Sequence, residues 1–198
     1  MAAYTLHGRD NDSNMCGSSD RLFEDVAGIP ICPACGYKVD LHFVNPFFRV
    51  KRRVYDLSST YDGYHIASLK FKETCKRLEL RGVEFLTLPS DQEFFVIKPT
   101  SFTSFDFVSR KTRFESFCAA CGFHKAVAGA TPAFLLTKPE SDLSATDVIF
   151  GSGNSRSRML IATEHAKKLL TAEKLKGLEF EVAMHNKSLK PTLKNGAA

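Results

Sequence analysis

Two stretches of the chain repeat one pattern of apolar and polar positions, and each predicts the same succession of elements. Residues 66–85 and 161–180 align without a gap at an offset of 95 positions. Each stretch opens with a short apolar run, continues through about a dozen positions with helical spacing, and closes with a second strand-like run. The pattern therefore predicts two strand-helix-strand units.

Both predicted helices carry signals at their ends. Ser68 and Thr163 stand where an N-cap is expected, because their hydroxyl oxygens can accept a hydrogen bond from the first helical turn. At the other end a basic residue precedes a glycine, which suits the negative end of the helix dipole and the positive φ of a C-terminal glycine. The apolar positions are Phe71, Cys75 and Leu78 in the first helix and Ala166, Leu169 and Leu170 in the second.

Other segments extend this pattern or interrupt it. The alternating segment 37–44 predicts a strand, 47–57 predicts a second β segment, and 93–97 predicts a buried strand. Residues 1–20 mix Asp, Asn, Ser and Gly without periodicity. We therefore expect a flexible N-terminal arm there, with some order near residues 4–6.

The strongest chemical signal is a five-residue turn, Cys-x-x-Cys-Gly, that occurs twice. Its cysteines are Cys32 and Cys35 in the first copy and Cys118 and Cys121 in the second. Such a turn directs two thiolates to one side of a tight loop, and its glycine supplies a positive φ and a close backbone approach. Two turns supply the four sulfur ligands of a tetrahedral site. We therefore predict one structural Zn²⁺ ion, with no coordination position left open for catalysis.

Three other interpretations use the same cysteines. Iron fits a four-sulfur cage of this spacing equally well. A redox dithiol is disfavoured because a β-like stretch follows Gly36, so no helix N-terminus lowers a thiol pKa. Disulfides need an oxidising compartment, whereas the polar start of the chain lacks the apolar stretch of a secretory signal, so we expect a cytoplasmic protein.

The remaining cysteines and one histidine have ordinary explanations. Cys16 and Cys75 are left as spare thiols, and Cys75 lies on the apolar helix face, where a buried thiol simply packs. His124 lies close enough to Cys121 to replace a ligand, but with four cysteines present we expect an ordinary histidine.

The formal net charge of +5 is unevenly distributed. Lys187, Lys190 and Lys194 supply three of these charges in residues 187–198, for which we predict a flexible basic tail. The rest of the chain is mildly basic, which argues against a large electrostatic footprint on nucleic acid. Two cationic clusters keep nucleic-acid binding as the alternative function. They are Arg49, Lys51, Arg52 and Arg53, and Arg110, Lys111 and Arg113.

A run of phenylalanines precedes the second Cys turn, namely Phe102, Phe105, Phe107, Phe114 and Phe117. Rings interleaved with cations can stack on bases. Phenylalanine without tyrosine or tryptophan beside it is more often a core residue, so we expect these rings to pack in the interior.

A glycine-rich segment at residues 151–154 is similar to a phosphate loop. It lacks the Gly-Lys-Ser/Thr ending, and a strand-like sequence follows it, so we interpret it as a connector. Arg156 and Arg158 follow the segment and could contact a partner.

Together these patterns predict an α+β fold with mainly antiparallel strands and a single domain over residues 21–186. We expect two similar halves, at about 28–100 and 114–184, joined by a zinc ribbon made of the two Cys turns. A metal shared by two such halves would lie near a pseudo-twofold axis. The sequence has no Ser/His/Asp set, paired-carboxylate motif or two-histidine metal motif, and no apolar run long enough to cross a membrane. These observations predict a non-enzymatic protein.

Several short motifs also point to one family. They are residues 28–30 before the first turn, the second turn itself, and the segments 147–150, 159–164 and 175–180. With these motifs the chain resembles the double-CXXCG immunity proteins of bacterial toxin systems. The resemblance implies a protein that binds and neutralises a cognate toxin, with Cys32, Cys35, Cys118 and Cys121 as metal ligands. The partner would then be a toxin-like protein.

Overall fold

The computed structural model describes residues 2–185, so the tail expected at 187–198 lies outside the described residues. The fold is α+β and consists mostly of sheet with few helices. The elements are β1 (Ala3–Asp10), β2 (Leu57–Ser59), β3 (His65–Ser68), α1 (Leu69–Arg77), β4 (Val83–Thr87), β5 (Phe94–Pro99), β6 (Phe102–Thr103), α2 (Phe107–Arg110), β7 (Arg113–Cys118), β8 (Phe123–Ala128), β9 (Phe134–Leu135), β10 (Leu143–Thr146), β11 (Gly151–Ser152), a 3₁₀ turn (Gly153–Ser155), β12 (Leu160–Thr163), α3 (Glu164–Ala172) and β13 (Leu178–His185).

One large sheet and one small sheet contain all of these strands. The large sheet has the order β4-β5-β3-β2-β1-β12-β10-β6, with β13 paired to β1 and β9 paired to β13. The small sheet has the order β11-β8-β7. Neighbouring strands are antiparallel except for the pairs β1–β2, β6–β10 and β9–β13. The predicted preference for antiparallel pairing is therefore confirmed.

The order expected near residues 4–6 is present, but the flexible arm expected over the rest of residues 1–20 is wrong, because β1 lies inside the large sheet. It pairs with β12 on one edge and β13 on the other, and Ala3 and Leu6 are buried. The following segment is fixed by the buried Asp62, whose carboxylate accepts hydrogen bonds from the backbone N–H groups of Met15 (2.8 Å) and Cys16 (2.7 Å). Pairing with distant strands orders this segment, and the local sequence pattern does not show that pairing.

Both predicted strand-helix-strand units form, as β3-α1-β4 and β12-α3-β13. Ser68 and Thr163 cap their helices, accepting hydrogen bonds from the N–H groups of Phe71 and Ala166 at 3.1 Å. In each unit an antiparallel strand lies between the two strands of the unit. That strand is β5 in the first unit and β1, from the other end of the chain, in the second.

In each strand-helix-strand unit, the backbone between the helix and the second strand is bound by a carboxylate from the other half of the chain. Asp56, which precedes β2, accepts the backbone N–H of Lys176 at 2.7 Å, after α3. Asp142, which precedes β10, accepts the backbone N–H of Arg81 at 3.2 Å, after α1. The two contacts are reciprocal, since each carboxylate lies at the start of a strand and reaches the residue before the glycine of the opposite unit.

Two predicted β segments do not form. Residues 37–44 contain only an isolated bridge between Ile31 and Lys38, and the Asp40 side chain then accepts the N–H of His42, which turns the chain. Residues 47–57 run as a loop until β2, because the Asn45 side chain binds the N–H of Phe47 directly after it. The buried strand predicted at 93–97 is confirmed as β5.

The core consists of three hydrophobic clusters. The largest lies between helices α1 and α3 and the large sheet and includes Phe71, Leu80, Leu160 and Leu170, with the thiol of Cys75 among them. In the described part of the chain no helix is both long and apolar enough to span a bilayer.

Candidate metal centre

The two Cys turns adopt the same backbone conformation. The N–H of Gly36 donates to the carbonyl of Cys32 and the N–H of Gly122 donates to that of Cys118, both at 2.8 Å. The two glycines have φ of 75° and 73°, as the motif predicts. The expected close approach is absent, because a Cβ at either glycine would meet no atom within 4 Å. The glycines are therefore needed for their dihedral angles alone.

The turns face each other with equivalent cysteines opposed. The Sγ atoms of Cys32 and Cys118 are 3.9 Å apart, and those of Cys35 and Cys121 are 3.8 Å apart. All four sulfurs lie within 4.8 Å of one another. A tetrahedral centre with metal–sulfur bonds of about 2.3 Å separates its ligands by about 3.8 Å. The four thiols can therefore bind one metal ion, and they form no disulfide.

The cysteines differ in how readily they ionise. The N–H groups of Cys35 and Ala34 point at the sulfur of Cys32 and lower its pKa to about 7. Burial raises the pKa of Cys121 to about 11. One thiolate is therefore available near neutral pH, and a bound metal would drive deprotonation of the others.

A buried arginine lies behind the turns and bridges them. Arg156 is 2% exposed and donates to the carbonyl oxygens of Lys38 (2.9 Å) and His124 (3.1 Å). These residues occupy equivalent positions directly after the two turns, as do the rings beneath the guanidinium, Tyr37 and Phe123, whose centroids lie 5.7 and 4.9 Å from Cζ. The arginine thus contacts the equivalent segments that leave both turns.

Arg156 forms no ion pair with a carboxylate within residues 2–185. Burial lowers its pKa, and the sulfurs of Cys121 and Cys35 act in the opposite direction. A buried cation needs a compensating anion. Thiolates around a metal ion supply that charge, so the surroundings of the four cysteines fit a metal centre.

Sequence analysis missed the role of Arg156, although a signal was present. Equivalent residues of the two halves are 86 positions apart from the Cys turns as far as the starts of β2 and β10. From the helix caps onward they are 95 positions apart. The second half of the chain therefore carries nine extra residues between β10 and β12, and the arginine lies in that insertion.

Two of the four residues of the first cationic cluster are paired with neighbouring acids. Arg53 pairs with Asp91 and Glu93 at 2.6 Å each, and Arg52 pairs with Asp12 at 3.2 Å. Arg49 and Lys51 are exposed in the same loop. In the second cluster Arg110 binds the carbonyl of Thr131, while Lys111 and Arg113 are exposed.

The expected burial of the phenylalanine run is wrong for most of its members. Phe105 is 1% exposed and packs against Phe150. Phe102, Phe107, Phe114 and Phe117 are exposed. Phe102 lies in β6, an edge strand of the large sheet, Phe107 lies in the short helix α2, and the other two lie in β7, an edge strand of the small sheet. His124 contacts two of these rings and is not part of the sulfur cluster.

The spare thiols are inert, as expected. Burial raises the pKa of Cys16 to about 11 and that of Cys75 to about 12.

Comparison with known proteins adds no assignment. No family model matches the chain, and no curated protein has significant sequence similarity to it.

Proposed function

We propose that Cys32, Cys35, Cys118 and Cys121 hold one structural Zn²⁺ ion in a zinc ribbon that joins two halves of the protein. The single observation that carries this proposal is the approach of two distant turns, sequence offset 86, to sulfur–sulfur distances of 3.8–3.9 Å. Zinc is favoured over iron as the ordinary occupant of a closed four-sulfur site without redox chemistry. Four thiolates leave no open position for a substrate.

The two halves are proposed to be related by a pseudo-twofold axis through this centre. Support comes from the equivalent pairs that meet there and from the reciprocal contacts of Asp56 and Asp142. An axis of this kind also explains why Arg156 binds the same carbonyl of both turns.

The biological role we propose is protein binding without catalysis, as in an immunity protein that binds and neutralises a cognate toxin. The resemblance to double-CXXCG immunity proteins supports this role, as does the closed character of the metal site. Neutralisation of Arg52 and Arg53 by acidic neighbours removes part of the positive surface that the nucleic-acid alternative needs.

Co-expression with the product of a neighbouring toxin gene tests this role. The metal-loaded chain should restore growth and co-purify with the toxin through a surface of roughly 800 Å² on each side. A Cys32→Ser/Cys118→Ser variant serves as the unfolded-site control. Failure to restore growth by a chain with full metal content would count against the immunity role.

A further inference from the structure

Helix α2 and the small sheet together carry a group of exposed apolar side chains around a half-buried histidine. We call it the aromatic surface and define it as Phe107, Val108, Phe114, Phe117 and His124. The ring centroids of Phe107 and Phe114 are 5.6 Å apart, and His124 lies 5.0 Å from Phe114 and 5.1 Å from Phe117. Val108 and Phe117 are 73% and 61% exposed. Side chains of this size and exposure in one group mark an interaction site.

A local backbone feature places two of these rings together. Residues 114 and 117 have opposite parity, so an unbroken strand would direct them to opposite faces. Ser116 instead has φ of 48°, an uncommon value for a residue other than glycine. Both phenylalanines consequently contact His124. Strained backbone of this kind is concentrated at functional sites.

A pocket borders the aromatic surface. It has a volume of about 300 Å³ and is lined by Phe114, Phe123, His124, Val148 and Arg158, among others. Its size suits one large side chain of a partner, and aromatic or aliphatic anchors in such pockets dominate many interfaces.

Exposed cations lie close in sequence to the residues of the aromatic surface. Between residues 107 and 128 the chain has four Lys or Arg residues and a single carboxylate, that of Glu115. Lys111, Arg113 and Lys125 are exposed, and none forms an ion pair with a described residue. A partner that complements this surface has apolar side chains surrounded by acidic ones.

We infer that the aromatic surface is the docking site for an acidic protein partner, an inference that rests on the protein-binding function proposed above. One observation favours protein over nucleic acid. The rings of Phe107 and Phe114 pack edge to face at 90°, which occupies a ring face that base stacking needs.

Selection from a display library of short random peptides on the full-length, metal-loaded chain tests this inference. Enriched peptides should combine aromatic or aliphatic residues with an excess of Asp and Glu. Their affinity should fall by about tenfold or more in an Arg113→Glu/Lys125→Glu variant, and also in Val108→Asp, which lies away from the Cys turns. An Arg49→Glu/Lys51→Glu variant carries the same charge change elsewhere and should bind the peptides normally.

Several outcomes would overturn the inference. They are an absence of enriched peptides, enriched peptides without acidic excess, equal loss of binding in both charge-reversal variants, and tighter binding of a mixed-sequence single-stranded DNA to this surface. Metal content and thermal midpoint of each variant must match the wild type. If the peptide selection fails while toxin co-expression succeeds, the partner docks elsewhere and the proposed function stands.

Discussion

At the scale of single residues, Arg156 connects the fold to the four-cysteine cluster. Its guanidinium is buried, contacts the carbonyls of Lys38 and His124 directly after the two Cys turns, and has no carboxylate partner in the described chain. The proposed four-thiolate zinc centre would have net negative charge, which the arginine would offset while orienting the ligands from outside the coordination sphere.

Replacement of Arg156 should weaken metal binding. We expect Arg156→Met to lower zinc affinity by about tenfold or more, because the buried negative charge loses its counter-charge and both turns lose a donor. Competition with a chromophoric chelator measures this affinity. Arg113→Met removes the same charge from an exposed position and is the matched control. Equal affinities for the two variants would show that Arg156 has no role toward the metal.

Two glycines should be essential for the contact between the units. A Cβ at Gly82 would lie 1.7 Å from the carbonyl oxygen of Leu143, and a Cβ at Gly177 would lie 2.4 Å from that of Leu57. Both also have positive φ, as does Gly28, around which no atom lies within 4 Å of the added Cβ. Comparing alanine variants at the three positions therefore separates the loss of stability caused by steric overlap from that caused by backbone dihedral strain.

Denaturant unfolding of the three alanine variants tests this distinction. Gly28→Ala should lower the free energy of unfolding by about 1 kcal/mol, the typical result of forcing alanine to positive φ. Gly82→Ala should lower it by about 3 kcal/mol or more, since backbone must also move. Similar losses of unfolding free energy in Gly28→Ala and Gly82→Ala would contradict the close approach of the Leu143 carbonyl oxygen to Gly82.

At the scale of elements, the sequence predicts α1, α3 and the strands on either side of them. Local signals suffice there, because caps, apolar spacing and terminal glycines all lie within the segment. The strand predicted at 37–44 does not form, because alternating apolar and polar residues alone do not provide a pairing partner. The Asp40 side chain turns the chain there instead. The aromatic surface was missed for a related reason, since the position of β7 at a sheet edge depends on the whole fold.

The helix caps give a prediction at this scale. Thr163→Ala should destabilise the protein by about 1 kcal/mol, because the N–H of Ala166 loses its acceptor. Ser68→Ala should cost more, since the Ser68 hydroxyl also donates to Asp56 at 2.8 Å. Thermal or chemical unfolding compares the two variants. Thr163→Ser retains the hydroxyl and should be close to wild type in stability. Equal losses of stability in Thr163→Ala and Ser68→Ala would exclude a role for the Asp56 contact.

At the scale of the whole molecule, strands from both ends of the chain complete the second unit. The antiparallel strand between β12 and β13 is β1, about 150 residues away in sequence. No local sequence pattern indicates a pairing over this distance, so residues 1–20 were expected to be flexible. The approach of the two Cys turns could be predicted, because metal-ligand chemistry requires four sulfurs to meet.

Removal of the metal should destabilise the whole protein rather than one loop. The proposed ion joins two turns, and Arg156 couples both of them to the insertion between β10 and β12. Treatment with a strong chelator under reducing conditions should lower the thermal midpoint, and added Zn²⁺ should restore it. A Cys16→Ser variant, which lacks a thiol outside the cluster, should respond to the chelator like the wild type. An unchanged midpoint after verified metal removal would contradict the structural role.

X-ray absorption spectroscopy at the metal edge directly tests whether the four cysteines bind zinc, on protein purified without chelators and with metal content determined in parallel. We expect one zinc ion per chain with a shell of four sulfur atoms at about 2.3 Å. A shell containing nitrogen or oxygen ligands, or two sulfurs per metal, would contradict it. So would a reduced protein that binds no metal at all.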